Sequence, residues 1–313
     1  MLRFAVPLAI LATPIVAAAQ SGVVVQQHTT FNVAKLGSGD LQQTMSILGA
    51  DRAKTATVGK TKILIISVDA SGTEITRLDQ DQIIRLDDKK KTYTVKSLAD
   101  MRADLLKQQK DVQKSAESEE KDGTRSYAVV DEARRTGEKQ VINGFSTEQL
   151  LVKISIYSEN TKTGVKTVTN HLTADIWFDP SLAEAARVTA AYRAAQQKAF
   201  GVDPTMAANP YAKWLSNVDG EMARISGYPI RSTITYEGVA APAAPAEAKA
   251  EDKPPTSIGG AIGGMFGKKK SDPPPVGPYG GPILFTASTE VSKISTTTPA
   301  ATEFEIPVGY VKK

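Results

Sequence analysis

A stretch that cannot pack, Val239 to Gly281, separates two stretches of strand character, so the chain has to close its sheet across an insertion. Ala and Pro mix from Val239 onward, and Pro254-Pro255 follows. Then come Ile258-Gly-Gly-Ala-Ile-Gly-Gly-Met-Phe-Gly267, Lys268-Lys-Lys270 and Pro273-Pro-Pro275. Too few large apolar side chains are present to offset the entropy of ordering that backbone. Residues 240–280 are therefore read as a disordered insert. Beyond it Pro282 to Ser295 resumes strand character. Thr302 to Tyr310 reads as a final edge strand, with Phe304 and Ile306 facing the core and Glu303 and Glu305 facing water. The expected organisation is one β domain built from residues 20–239 and 281–313.

The first 19 residues read as a secretory signal. Arg3 supplies the positive charge, Phe4 to Val16 a short apolar run, and Ala17-Ala18-Ala19 a small-residue cleavage site before Gln20. That run is too short for an ordinary membrane span, and no later run is long enough. The expected location is periplasmic or secreted. With no Cys, the chain has no lipidation cysteine, disulfide, thiolate metal site or thiol nucleophile. Its 38 Lys and Arg against 34 Asp and Glu are too balanced to point to a nucleic acid.

Between signal and insert, most segments read as strands. Val23 to Val33 is rich in β-branched residues, Gly37 to Asp40 reads as a turn, and Leu41 to Gly49 is ambiguous. Asp51 to Val58 suggests an exposed strand. Thr61-Lys-Ile-Leu-Ile-Ile-Ser-Val68 is the most apolar run outside the signal and is expected as a single strand buried on both faces. Thr73 to Asp79, Gln82 to Asp87 and Lys91 to Val95 follow, the last two joined by a turn. Ser97 is placed to cap a helix from Leu98 to about Glu120, whose apolar stripe is partial and whose second half is highly charged. Ser126 to Val130 reads as a strand, and Asn143-Gly144 as a hairpin turn. Gln149 to Tyr157 and Asn170 to Phe178 make a hairpin. Asp179-Pro180 opens a helix reaching about Phe200, Tyr211 to Met222 adds a short one, and Ile225 to Tyr236 is a strand.

Chemistry-bearing patterns are sparse. His28 and His171 lie in separate strands, with no spacing that signals a metal or an acid–base pair. No serine sits in a Gly-x-Ser-x-Gly elbow, and the glycines of Ile258 to Gly267 lack the Gly-Lys-Ser/Thr ending of a phosphate loop. Asp79, Asp81, Asp87 and Asp88 read as turn residues. No catalytic residue, metal ligand or cofactor is therefore expected. Two weaker sites are. Ile63, Ile65, Leu150, Val152, Ile154, Ile176 and Phe178 alternate in strands, and suit either a core or the apolar lining of a curved sheet. Met265, Phe266, Lys268, Lys269 and Lys270 join apolar anchors to three cations, a pattern suited to weak contact with an anionic envelope membrane.

Three stretches together resemble an exported bacterial family related to the periplasmic lipoprotein carriers LolA and LolB. They are Asp81-Gln-Ile-Ile-Arg-Leu-Asp-Asp-Lys-Lys-Lys-Thr-Tyr-Thr-Val95, Gly137-Glu-Lys-Gln-Val-Ile-Asn-Gly-Phe145 with Ala174-Asp-Ile-Trp-Phe178, and Phe304-Glu-Ile-Pro-Val-Gly-Tyr310. The resemblance implies an α+β fold, mainly antiparallel, with a curved sheet or incomplete barrel and helices covering its concave face. No acyl-contacting residue of the carriers transfers to this chain. The expected function is non-enzymatic binding of an apolar or amphipathic ligand, a lipid or a lipoprotein acyl chain. The alternatives are an envelope interaction protein with a filled core, and a hydrolase whose site is not visible in the sequence.

Overall fold

The computed structural model describes residues 21–63, 66–107, 110, 123–201, 227–239 and 275–313. Its frame is one open sheet of 13 strands, antiparallel except at its last pair. The strands are β1 (Gly22–Val33), β2 (Gly37–Leu48), β3 (Arg52–Ile63), β4 (Ile66–Asp69), β5 (Gly72–Arg77), β6 (Gln82–Asp87) and β7 (Thr92–Ser97). They continue as β8 (Thr124–Ile142), β9 (Phe145–Asn160), β10 (Lys166–Asp179), β11 (Tyr228–Gly238), β12 (Ile283–Ser295) and β13 (Val311–Lys312). In space the order is β13-β7-β6-β5-β3-β2-β1-β12-β11-β10-β9-β8, with β4 also on β3. The first strand, β1, and the strand that follows the insert, β12, thus meet in the middle. Strand β12, beyond the insert, fits between β1 and β11, with Val33 opposite Phe285 and Ile234 opposite Ala287.

Local chemistry explains most turns. Asn143 and Gly144 both take positive φ, as a two-residue hairpin turn requires, and join β8 to β9. Strand β8 is one run of 19 residues, uniting the segments around Ser126 and Glu138. Asp179 accepts from Ser181 N and Pro180 opens a short 3-10 turn into helix α2 (Ala183–Phe200), which ends on Gly201 at φ 71°. Ser97 Oγ accepts from Asp100 N and caps helix α1 (residues 98–107). The rest of the long charged helix expected to about Glu120, apart from residue 110, lies outside the described residues, as does the one at Tyr211 to Met222.

Three expectations are corrected. The apolar run 61–68 is not one buried strand: Ile63 pairs with Ile66, so β3 and β4 run antiparallel to each other within it. Strand β4 then runs into β5 in unbroken register with β3, from Ile63 opposite Ile66 to Arg52 opposite Arg77. Gly37 to Asp40 is strand rather than turn, and Gly39 serves packing. A Cβ there would stand 2.1 Å from Phe31 Cε1, so the ring across the ladder covers the bare backbone. The C-terminal segment is no edge strand over 302–310. It forms a 3-10 turn (Ala301–Phe304) and an extended stretch, and only Val311–Lys312 pairs, parallel to β7. Phe304 is nonetheless fully buried and Glu305 exposed. A 3-10 turn can bury one side chain as well as a strand can, so alternation alone could not separate them.

The register assigns the faces, because directly opposed residues share one. Helix α2 lies on the inner face, where Ala185, Val188 and Tyr192 pack with Val23, Val25, Ile47, Ile230 and Val291. Helix α1 meets the same face at the other flank, through Leu98 and Leu105 against Ile83 and Phe200. The outer face of β2, β5, β6 and β7 carries Leu48, Ile75, Ile84 and Leu86, and the C-terminal segment covers it with Phe304, Ile306 and Tyr310. The whole is an α+β sheet protein, with both helices on one side.

Candidate functional site

The inner face of β1, β2, β11 and β12 carries a graded stripe. Along β1 the residues facing inward are Val23, Val25, Gln27, Thr29, Phe31 and Val33. The first two are sealed beneath α2, and the rest are half-buried. Leu41 and Met45 on β2, Ile234 on β11 and Phe285 on β12 share that face and are also half-buried. Strand residues that do not pack with α2 keep apolar area in contact with solvent.

Polar rungs interrupt the stripe. Gln27 Nε2 donates to Gln43 Oε1 at 3.0 Å, Gln43 Nε2 to Thr57 Oγ1 at 3.4 Å, and Thr29 Oγ1 lies 3.1 Å from Thr289 Oγ1. An apolar strip crossed by satisfied amide and hydroxyl groups suits a ligand with both characters better than a pure hydrocarbon. The strip runs to the far end of the sheet along the cross-strand row Phe31, Gly39, Thr61, Val68. There Ile66 is 64 % exposed and Val68 44 %.

The expected lining residues divide. Leu150, Val152, Ile154, Ile176 and Phe178 come together on the inner face of β9 and β10, with Leu172, Ala174 and Tyr236. All are buried against one another, and Arg135 stacks over the Phe178 ring at 5.1 Å. They form the floor beside the half-open stripe. Ile63 does not join them, because its strand turns back at the β3–β4 hairpin on the other flank of the sheet. Ile65, Met265, Phe266, Lys268, Lys269 and Lys270 lie outside the described residues. Phe31, Leu41, Met45 and Phe285 were missed as lining. The alternation of β1 was the available signal.

The outer face of β8 to β11 is polar, and there the structure brings together a row that no motif announces. Ser155 Oγ donates to Asp131 Oδ2 at 2.6 Å and lies 3.0 Å from His171 Nδ1. The Tyr279 ring stacks on His171 at 3.9 Å and its hydroxyl donates to the same Asp131 oxygen. Tyr279 N donates to the fully buried Glu237 at 2.7 Å. A hydroxyl near an imidazole invites a hydrolase reading, but the order is wrong for acyl transfer. There the imidazole takes the serine proton and the carboxylate orients the imidazole. Here the carboxylate holds the serine, Tyr279 covers the ring and Ser155 is 5 % exposed. The row instead fastens residues 275–281 to the sheet. Residues 275–280, counted with the insert in the sequence reading, thus lie against the outer face of the sheet. Apolar counting overlooked Tyr279 because its partners are polar groups on three different strands.

Of the four aspartates of the expected turns, Asp81 takes positive φ at a turn and the other three hold protein groups. Asp79 takes Arg77 bidentately at 2.9 Å, Asp87 accepts from Lys90 N, and Asp88 accepts from Thr73 Oγ1 and the Tyr310 hydroxyl. The Arg77 guanidinium holds the Asp79 carboxyl below the usual carboxylate range. Burial raises the Tyr192 phenol under α2 to about 12, so it stays neutral. Among the described residues, no group of His, Asp and Glu is arranged to hold a metal ion. Comparison with known proteins finds no matching family model, curated protein or solved structure.

Proposed function

We propose that the chain is a non-enzymatic binding protein for an amphipathic ligand, a lipid or a lipoprotein acyl chain, held along the inner face of its sheet. The half-buried stripe of Phe31, Leu41, Ile234 and Phe285, outside the cluster that α2 seals, carries this reading. Such a strip loses water-exposed apolar area when an acyl chain lies on it, which favours binding by about 25 cal/mol per Å² covered. The rungs at Gln27, Gln43 and Thr29 offer partners for a polar linkage. Helices on one face of a large antiparallel sheet agree with the resemblance to the LolA and LolB carriers, and the signal-like residues 1–19 agree with work outside the cytoplasm.

Neighbouring residues on opposite faces supply the test. Ile234 faces inward and Thr235 outward on the same strand. A fluorescent fatty-acid analogue should bind the wild type, bind Thr235→Asp equally and lose affinity for Ile234→Asp. Circular dichroism checks that both variants fold. Equal binding by all three proteins would move the ligand off this face. The sealed cluster around Leu172 and Ile154 favours the second reading, an envelope interaction protein with a filled core. No saturable binding by the wild type, with no lipid adduct on protein purified from its own envelope, would decide for that reading.

A further inference from the structure

The outer face holds a second feature, at the end of the sheet where β1 turns into β2 and β3 into β4. A groove of about 560 Å³ runs across these strands. Thr30 and Asn32 of β1, Ser38 and the acidic Asp40 of β2, Lys60 and Lys62 of β3 and Ser67 of β4 are among its lining residues. All lie on the face opposite Phe31 and Val68, as the register requires.

Among the described residues neither lysine forms an ion pair, although Asp40 shares the groove, and the neighbours explain why. Lys60 has an acid opposite it on both sides, Asp40 across β2 and Asp69 across β4. Either could neutralise it, but both are engaged elsewhere. Asp40 Oδ1 lies 2.7 Å from His28 Nε2. Asp69 accepts from Lys89 and from Ser71 N. Lys62 has Ser38 and Ser67 opposite it, and neither carries charge. Among the described residues, neither lysine is within ion-pair distance of an acid. Two like charges two residues apart on one strand face repel each other mildly, so a ligand that answers both is favoured. Hydroxyl and amide groups surround them, and a phosphate offers oxygens to donors of both kinds.

We propose that this outer groove is a binding site for a phosphate-bearing ligand, with Lys60 and Lys62 as the charge contacts and Thr30, Asn32, Ser38 and Ser67 as hydrogen-bonding rim. The phosphate could belong to a soluble molecule or to a phospholipid headgroup. The site is independent of the inner-face stripe.

Both sources can be tested on the full mature chain. One arm titrates inorganic pyrophosphate by calorimetry. The other sediments the protein with phosphatidylcholine vesicles, with and without phosphatidylglycerol. Lys60→Gln/Lys62→Gln is compared with Lys312→Gln/Lys313→Gln, which removes the same charge at the sheet's far edge. The groove variant should weaken binding on the order of tenfold or more, and the edge variant only slightly. Loss in the pyrophosphate arm assigns a soluble ligand, and loss confined to the phosphatidylglycerol vesicles assigns a headgroup. No wild-type binding in either arm would overturn the site. So would equal weakening by both variants, which would mean diffuse attraction to net charge.

Discussion

Arg77 shows how one side chain can decide the end of a chain. It is 4 % exposed, clasped by Asp79, and reaches Glu305 Oε1 at 2.6 Å and the Phe304 carbonyl at 3.3 Å. Removing Phe304 empties a fully buried pocket between Ile75, Ile84 and Leu48. Phe304→Ala should cost about 3–5 kcal/mol in denaturant unfolding. Glu305→Ala should cost less than about 1 kcal/mol, because its carboxylate is mostly exposed and Arg77 keeps Asp79. Equal losses would mean that the ion pair and not the ring anchors the segment. The Arg77–Asp79 pair also sets a pH dependence. The folded Asp79 carboxyl titrates below its unfolded value, near 3.9. Its contribution is therefore complete above that value and is lost as pH falls through the folded value. The urea midpoint of the wild type should drop more steeply on acidification than that of Asp79→Asn, which should start lower at neutral pH. Parallel curves would remove Asp79 from the acid response.

Elements were legible where a short signal sufficed and hidden where packing decided. Asn143-Gly144, Ser97 and Asp179-Pro180 announce a turn and two helix starts through backbone chemistry confined to a few residues, and each forms as expected. The run 61–68 misleads, because apolar content speaks for burial and says nothing of two short antiparallel strands within one run. Ile66 and Val68 end up exposed at that hairpin. The C-terminal segment misleads in the opposite sense, since its alternation fits a strand while its backbone takes a 3-10 turn. Its role as a cover leads to a prediction for the whole element. Deleting residues 302–313 should uncover Leu48, Ile75, Ile84 and Leu86 on the outer face and free the β7 edge. The truncated protein should aggregate at concentrations where the full chain is monodisperse by light scattering. A monodisperse truncation would show that this cover is dispensable.

At the scale of the whole molecule, the chain's two ends interlock through β12. Gly238 N donates to the Pro282 carbonyl at 2.9 Å, so the strands flanking the insert are already neighbours. A short Gly/Ser linker in place of residues 240–274 should therefore leave the melting temperature almost unchanged. A large fall would show that Ile258, Ile262, Met265 or Phe266 packs on the domain. Removing β12 is different, because β1 and β11 would each lose one of two partners and present an open edge in the middle of the sheet, and a chain ending at residue 239 should not fold. The sequence alone determined the predominantly β character of the chain, two helix starts and the Asn143–Gly144 turn. These depend on the composition and local conformational preference of neighbouring residues. Only the tertiary structure decided which face each strand presents to α2, how far that helix reaches, that Tyr279 pins the chain to His171, and that Asp40 and Asp69 turn away from Lys60. Those outcomes rest on contacts between residues remote in sequence, whose energies appear only once the strands are in register.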